Sequence, residues 1–232
     1  MSGKRIYACN DDYFEKIDTE DKAYWLGFLY ADGCIDKVRG CTILDLSIID
    51  YAHLLLFKES IGSSHKIYFH QDKKGHEYVR LHINSKKMVN DLIDKGCVPA
   101  KTFTLKFPKE DHVPKELIPH FIRGYFDGDG CIYAKYKKPK NRPNMFLDTE
   151  FNILGTKELL EIMAVYLPID NITVNKKWGN KIFGIRIYNK ISILEIMDYL
   201  YKDSSFYLQR KYENFLLIKN YVEKSSCNYK AS

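Results

Sequence analysis

Two aspartates in this chain are spaced to do chemistry together. Asp32 closes the stretch Trp25-Leu26-Gly27-Phe28-Leu29-Tyr30-Ala31-Asp32-Gly33-Cys34-Ile35. Asp129 closes Ile122-Arg123-Gly124-Tyr125-Phe126-Asp127-Gly128-Asp129-Gly130-Cys131-Ile132, 97 residues further on (129 − 32). Each acid ends an apolar run of helical spacing and is followed by glycine. A carboxylate there meets the negative end of the helix dipole, and two such ends side by side repel more strongly. A divalent cation between or beside them offsets that repulsion. Oxygen-only ligands select Mg²⁺ over zinc, and the carbonyls freed at Ala31 and Gly128 are candidate further ligands. One Asp-Gly is an ordinary turn dipeptide. Two copies behind matching helices point to a shared site.

The helices must bring the acids together. Ile118, Phe121, Ile122, Tyr125 and Phe126 form an apolar stripe, with Pro119 in the first turn. Gly124 and Gly128 sit four apart on one face, and Gly27 and Ala31 take the same places in the first motif. A glycine inside a helix costs about 1 kcal/mol against alanine. That cost makes sense where another backbone comes close. The two helices are therefore predicted to pack face to face through Gly27 and Gly124, C-terminal ends together. Gly33 and Gly130 are expected to be left-handed C-caps.

The repeat continues beyond the motifs. Leu44-Asp45-Leu46-Ser47 precedes a helical stretch, 51–61, and Leu147-Asp148-Thr149-Glu150 precedes another, 156–167. Strand-like alternation follows at 65–70 and 77–84, and again at 173–178 and 182–188. Helices are predicted at 85–95, 190–201 and 206–223. The expected class is α+β: two pseudo-symmetric αββαββα units, 1–106 and 117–232, joined by a proline-flanked linker at 107–116.

Each unit presents strands with one apolar face and one polar face. Val79, Leu81 and Ile83 oppose Tyr78, Arg80 and His82. Ile185 and Ile187 oppose Arg186 and Tyr188. Leu44 and Leu46 oppose Asp45 and Ser47, and Ile67 and Phe69 oppose Lys66, Tyr68 and His70. Lys37, Arg39, Lys135, Lys137, Asn152, Lys176 and Trp178 extend the polar set. The loop carrying Lys138, Lys140 and Arg142 is basic. For one strand such a face is ordinary solvated surface. Repeated in both units, it suits bases and phosphates.

Bulk composition agrees with a folded, moderately basic chain. Of 232 residues, 45% are apolar, with 18 Tyr and 13 Phe, and the net charge is +6. That charge fits a polyanionic partner without demanding one. No pair among Cys9, Cys34, Cys41, Cys97, Cys131 and Cys227 has C-x-x-C spacing. They read as reduced thiols, and zinc is not expected. The start Met-Ser-Gly-Lys-Arg and the lack of a long apolar run lead us to expect an intracellular protein of cytoplasm, nucleoid or organelle matrix, neither secreted nor membrane-bound.

The two motifs, WLGFLYADG and IRGYFDGDG, resemble those of the LAGLIDADG homing endonucleases, and the element order around them matches that family's unit. The resemblance implies a monomer whose paired motif helices form the interface between halves. It implies saddle-like sheets lying in the major groove of double-stranded DNA, with Asp32 and Asp129 binding the metals that cut one strand each. It implies two or more Mg²⁺ ions, with Mn²⁺ or Ca²⁺ substituting for binding, and short 3′ overhangs. Lys101 and Lys211 match the family's basic residues near each metal centre. Tyr30 departs from the pattern where the second motif has Asp127, so Asp127 is expected to be structural. Arg80 and Arg186 are first candidates for guanine, and Asn152 for adenine.

Alternatives on the same fold are an intron maturase, whose partner is intron RNA, and a DNA-binding regulator. A pure maturase needs neither acid, and the regulators usually lose both. Splicing as an intein is not expected, because the terminal splicing residues are lacking. If the basic loop holds phosphates, changing Lys138 and Lys140 to Gln weakens binding to every DNA sequence alike. The log–log salt slope should fall by roughly 0.9 for each lysine. Loss confined to one base position, in a binding titration across salt, contradicts that assignment.

Overall fold

The computed structural model describes residues 6–99, 103–140, 145–178 and 181–230. The first half runs α1 (Glu20–Asp32), β1 (Gly33–Asp36), β2 (Cys41–Ser47), α2 (Tyr51–Ser60), β3 (Ile67–Gln71), β4 (Glu77–Asn84), α3 (Lys86–Asp94). The second runs α4 (Ile118–Asp129), β5 (Gly130–Lys137), β6 (Phe146–Gly155), α5 (Lys157–Tyr166), β7 (Val174–Trp178), β8 (Ile182–Ile187), α6 (Lys190–Tyr201), and adds α7 (Gln209–Lys230). Each half holds one antiparallel four-stranded sheet, ordered β1-β2-β4-β3 and β5-β6-β8-β7. The expected α+β architecture of two αββαββα units is what forms.

Local chemistry sets the element boundaries. Ser85, Thr156 and Asn189 cap α3, α5 and α6, each side chain accepting a bond from an N–H of the first turn. Pro119 sits in the first turn of α4, where its missing N–H costs nothing. Val79, Leu81 and Ile83 are buried along β4, with Leu44 and Leu46 beside them on β2. The expected apolar face is therefore the helix-covered one. Phe69 departs from this pattern: it leans on Tyr51 but is 64% exposed, because β3 is the sheet edge. The stretch expected as a linker is packed. Phe107 stacks on Tyr166, and Val113 is buried.

The centre is the α1–α4 contact. A Cβ on Gly27 would stand 2.0 Å from the Phe121 carbonyl oxygen, and one on Gly124 would stand 1.9 Å from that of Tyr24. A Cβ on Gly128 would meet the Ala31 methyl at 2.2 Å. The four small residues are the surface on which two backbones touch, as their spacing implied. Around them Tyr24, Trp25, Phe28, Phe121, Ile122, Tyr125 and Phe126 are buried, so both halves share one core.

Three expectations are corrected. Gly33 and Gly130 are not left-handed caps: φ is −71° and −91°, in the extended region. The chain passes straight from helix into strand. What requires glycine is space, since a Cβ would lie 2.7 Å from the Leu29 carbonyl oxygen or 2.5 Å from that of Phe126. Lys37 and Arg39 belong to the β1–β2 turn rather than a strand, because β1 ends at Asp36. The repeat also aligns differently around the second strand. Gly33 pairs with Leu44 and Gly130 with Ile153, so Leu44 corresponds to Ile153 rather than Leu147. The second half has the longer first hairpin, with strands of 8 and 10 residues against 4 and 7.

Gly124→Ala forces the helices apart at their closest point. Its urea midpoint should fall by an amount equivalent to roughly 3 kcal/mol. Gly62→Ala is the control, with open space around it and a strained φ of +57°. It should cost only about 1 kcal/mol. Equal losses would remove the contact from its central role.

Candidate active site and nucleic-acid interface

The contact delivers two exposed acids to one place. Asp32 and Asp129 are the last residues of α1 and α4. The Asp32 Oδ2 lies 3.4 Å from where a Cβ on Gly128 would stand, so it lies over the end of the other helix. Asp129 opens onto a cavity of about 370 Å³ walled by Tyr30, Phe103, Leu105 and Tyr125. The buried Tyr125 hydroxyl donates to the Leu154 carbonyl at 2.9 Å. Its pKa is pushed far above the usual phenol value by burial, then by the charge and hydrogen bond of Asp129, and further by Asp32. Both carboxylates thus act on one hydroxyl. Among the described residues no three His, Cys, Asp or Glu side chains form a metal cage. The two carboxylates follow directly on the Ala31 and Gly128 peptide units in the chain, so the candidate donors are hard oxygens. That set suits a hard cation keeping most of its water.

Lys211, on α7, is 2% exposed. Its ammonium donates to the carbonyls of Phe126 (2.6 Å), Asp127 (2.7 Å) and Gly130 (2.6 Å). It therefore caps the end of α4 with all three of its protons. Burial lowers its pKa to about 8; Asp127 pulls it up, Arg210 pushes it down, and Asp32 pulls it up again. Lys101 and Arg142 lie outside the described residues.

Asp127 is buried and accepts from Tyr24 Oη (2.8 Å), Tyr201 Oη (3.3 Å) and the Leu208 N–H (2.8 Å). Burial raises its pKa from the ordinary aspartate value, and Lys211 opposes that. The Tyr24 proton goes to Asp127, so the His53 Nε2–H donates to the Tyr24 oxygen, 2.9 Å away. Tyr30, at the matching place, instead donates to the Lys95 carbonyl within its own half. Beside this chain Arg123 is fully buried. It donates to Glu20 (2.7 Å) and to the Leu200 and Phe206 carbonyls (2.8 Å each). Glu20 also accepts from the Ser205 N–H at 2.7 Å. This clamp between halves has no sequence signature: Arg123 reads as a polar interruption of an apolar helix, and Glu20 as a first-turn acid.

The open sheet faces carry most of the candidate contact residues. In the first half, Asp45 pairs with Arg80 and Arg80 with Tyr68; Ser47 pairs with Tyr78 and Tyr78 with His70. Arg80 is held by the Asp45 carboxylate, and His70 Nε2 lies 3.4 Å from it. Lys66 is exposed just before β3. In the second half, Lys135 faces Asp148, and Lys137 is bridged to Asp148. Lys138, Lys140 and Tyr188 are exposed. Arg186 is held by Glu150 at 2.7 Å, and Asn152 Nδ2 donates to the same carboxylate oxygen at 3.3 Å. Glu150 was absent from the sequence-predicted site, because only the register puts it beside both. Lys176 pairs with Phe183, on the helix-covered face, although it is exposed at the sheet edge. The next lysine, Lys177, lies over Gly184 on the open face. A register shift between Lys176 and Trp178 separates the two strands' patterns.

Known proteins with this arrangement are informative. The double mutant of I-SmaMI superposes with a TM-score of 0.63 at 13% identity, over 89% of this chain and 92% of that one. Meganuclease I-SmaMI bound to uncleaveable DNA gives 0.61 at 11% identity, over 92% of each chain. The LAGLIDADG homing endonuclease I-LtrWI bound to target DNA gives 0.60 at 12%, over 93% and 92%. The fold is that of the LAGLIDADG homing endonucleases. No protein-family profile matches the chain. A curated sequence relative, the probable translation initiation factor IF-2 of Methanocaldococcus jannaschii, is 24% identical over 214 residues, 87% of this chain. The chain spans 16% of that protein's length.

The buried network makes acid sensitivity a test of its placement. Burial, then the charges of Arg210 and Lys211, lower the His53 pKa from 6.5 to about 3. The unfolded chain therefore binds a proton that the folded one refuses between those values, and stability falls as pH drops below 6.5. Relative to His53→Gln, which cannot titrate, wild type should lose roughly 2–3 kcal/mol between pH 7 and pH 4.5 in urea unfolding. Parallel profiles would place His53 in contact with water.

Proposed function

We propose that this protein is a site-specific DNA endonuclease that makes a metal-dependent double-strand break. The observation that supports this most is the convergence of Asp32 and Asp129 at the touching ends of α1 and α4, flanked by two open polar sheet faces. Solved neighbours of the same fold are described as bound to DNA, which favours double-stranded DNA as the partner. A single chain already contains both halves, which favours action as a monomer.

In this reading Asp32 and Asp129 would each hold Mg²⁺ beside one scissile phosphate. Bound there, the ion supplies an activated water and neutralises charge on the leaving oxygen. The remaining work falls to the chain itself. Tyr125 lines the cavity beside Asp129, its hydroxyl anchored on the Leu154 carbonyl. Lys211 neutralises the carbonyl end of α4 and so offsets the negative field at Asp129, while its charge reaches Asp32. The open faces hold the duplex by phosphate contacts and read base edges in the major groove. Asp127 keeps the halves in register and takes no part in the cut.

Asp32→Asn and Asp129→Asn should each retain DNA affinity within several-fold. Double-strand cleavage in Mg²⁺ should fall by at least about a hundred-fold, leaving at most a nick. Cleavage-site selection from a randomised library, followed by gel assays with and without Mg²⁺, supplies the substrate and the readout. If cleavage selection returns no site while selection by binding from the same library does, and wild type leaves that bound site uncut in Mg²⁺, the protein is a binder and not a nuclease.

A further inference from the structure

The sheet registers line up six residues in two matching rows beside the acids. In the first half Cys34 pairs with Ile43, and Ile43 with His82. In the second Cys131 pairs with Asn152, and Asn152 with Arg186. Cys34 and Cys131 each stand two residues beyond the candidate catalytic acid, and both are exposed. Successive strands step outward by about 4.8 Å, so the rows leave the centre in parallel steps. Ile43 corresponds to Asn152, and His82 to Arg186. The residue matching Arg80 is Gly184, since Leu81 and Ile185 hold equivalent places. The two arginines that look alike in sequence therefore occupy different positions.

We propose that these rows set the innermost specificity of each half-site and make the target asymmetric there. This rests on the reading of the protein as a DNA endonuclease. The innermost pair, Cys34 and Cys131, is identical, so the base pairs it meets should obey the dyad. One step out, Ile43 offers an apolar surface that fits a thymine methyl. Asn152 carries an amide whose Nδ2 is tied to Glu150 and whose Oδ1 is buried without a partner; turned outward, that oxygen is an acceptor suited to the N6 amino group of adenine. Two steps out, His82 is half-buried and its Nε2 is shielded without a partner, so the ring meets a base by turning outward. Arg186 is fixed through Nε by Glu150 and through Nη1 by Tyr188 Oη, bonds that do not use Nη2. A guanidinium held this way suits guanine O6 and N7. Glu150 acts as a positioning residue for both Asn152 and Arg186.

The test transplants one row onto the other half. Sites are selected for wild type and for the double variant Ile43→Asn/His82→Arg from one randomised library, and cleavage preference is read position by position. The variant should prefer a target whose first-half inner bases repeat the second half's, gaining at least ten-fold on that site over wild type. Outer positions and the Mg²⁺ requirement should not change. The reverse transplant, Asn152→Ile/Arg186→His, should impose the first half's inner bases on both sides. Wild type cutting a defined site while both variants keep its inner preferences would overturn the proposal and leave the endonuclease reading intact. Wild type selecting no site at all would overturn the endonuclease reading itself. Glu150→Gln adds a separate readout: discrimination should fall at both the Asn152 and Arg186 positions, whereas a role confined to one would relax one alone.

Discussion

Everything in this molecule depends on how closely two backbones approach. At Gly27 and Gly124 the helices touch main chain to main chain, with no room for a methyl group. That approach brings two C-terminal helix ends together, an electrostatically poor arrangement. The chain answers it in part with Lys211, which spends all three ammonium protons on the carbonyls ending α4. The acids remain at the surface of the same junction. Scaffold and site are thus one construction, and a change in helix spacing is also a change in carboxylate spacing.

Packing alone leaves two pseudo-equivalent helices free to slide. The polar chain from His53 through Tyr24 to Asp127, and on to Tyr201 and the Leu208 N–H, removes that freedom. So does Arg123, whose guanidinium ties Glu20 to the backbone before α7. Buried groups like these tolerate few geometries, since each unpaired atom carries a desolvation cost. They convert a greasy contact into a defined one.

Much of this was legible in the chain. Small residues four apart, an acid at each helix foot, and alternation along 77–84 and 182–188 led directly to the paired helices and the two-faced sheets. What escaped depends on tertiary register. Arg80 and Arg186 look equivalent in sequence, yet unequal first hairpins put His82 where symmetry would place an arginine. Lys176 and Lys177 are neighbours whose faces are decided by an irregularity at the end of β7. Gly33 and Gly130 were expected to turn the chain, but they are needed because a side chain would strike the helix they leave. Glu20 and Arg123 meet across 103 positions (123 − 20), beyond any local pattern.

The typed interface limits what the protein can become. Tyr24 donates and Asp127 accepts; Arg123 donates and Glu20 accepts. By the offset between the motifs, Tyr24 corresponds to Phe121, Arg123 to Leu26, and Asp127 to Tyr30. Two copies of the second half would bury two aspartates facing phenylalanines, and two copies of the first would meet with tyrosines and no carboxylate. The halves therefore address each other as lock and key rather than as twins. Neither half can stand in for its mate, because each lacks the group that the other supplies across the seam.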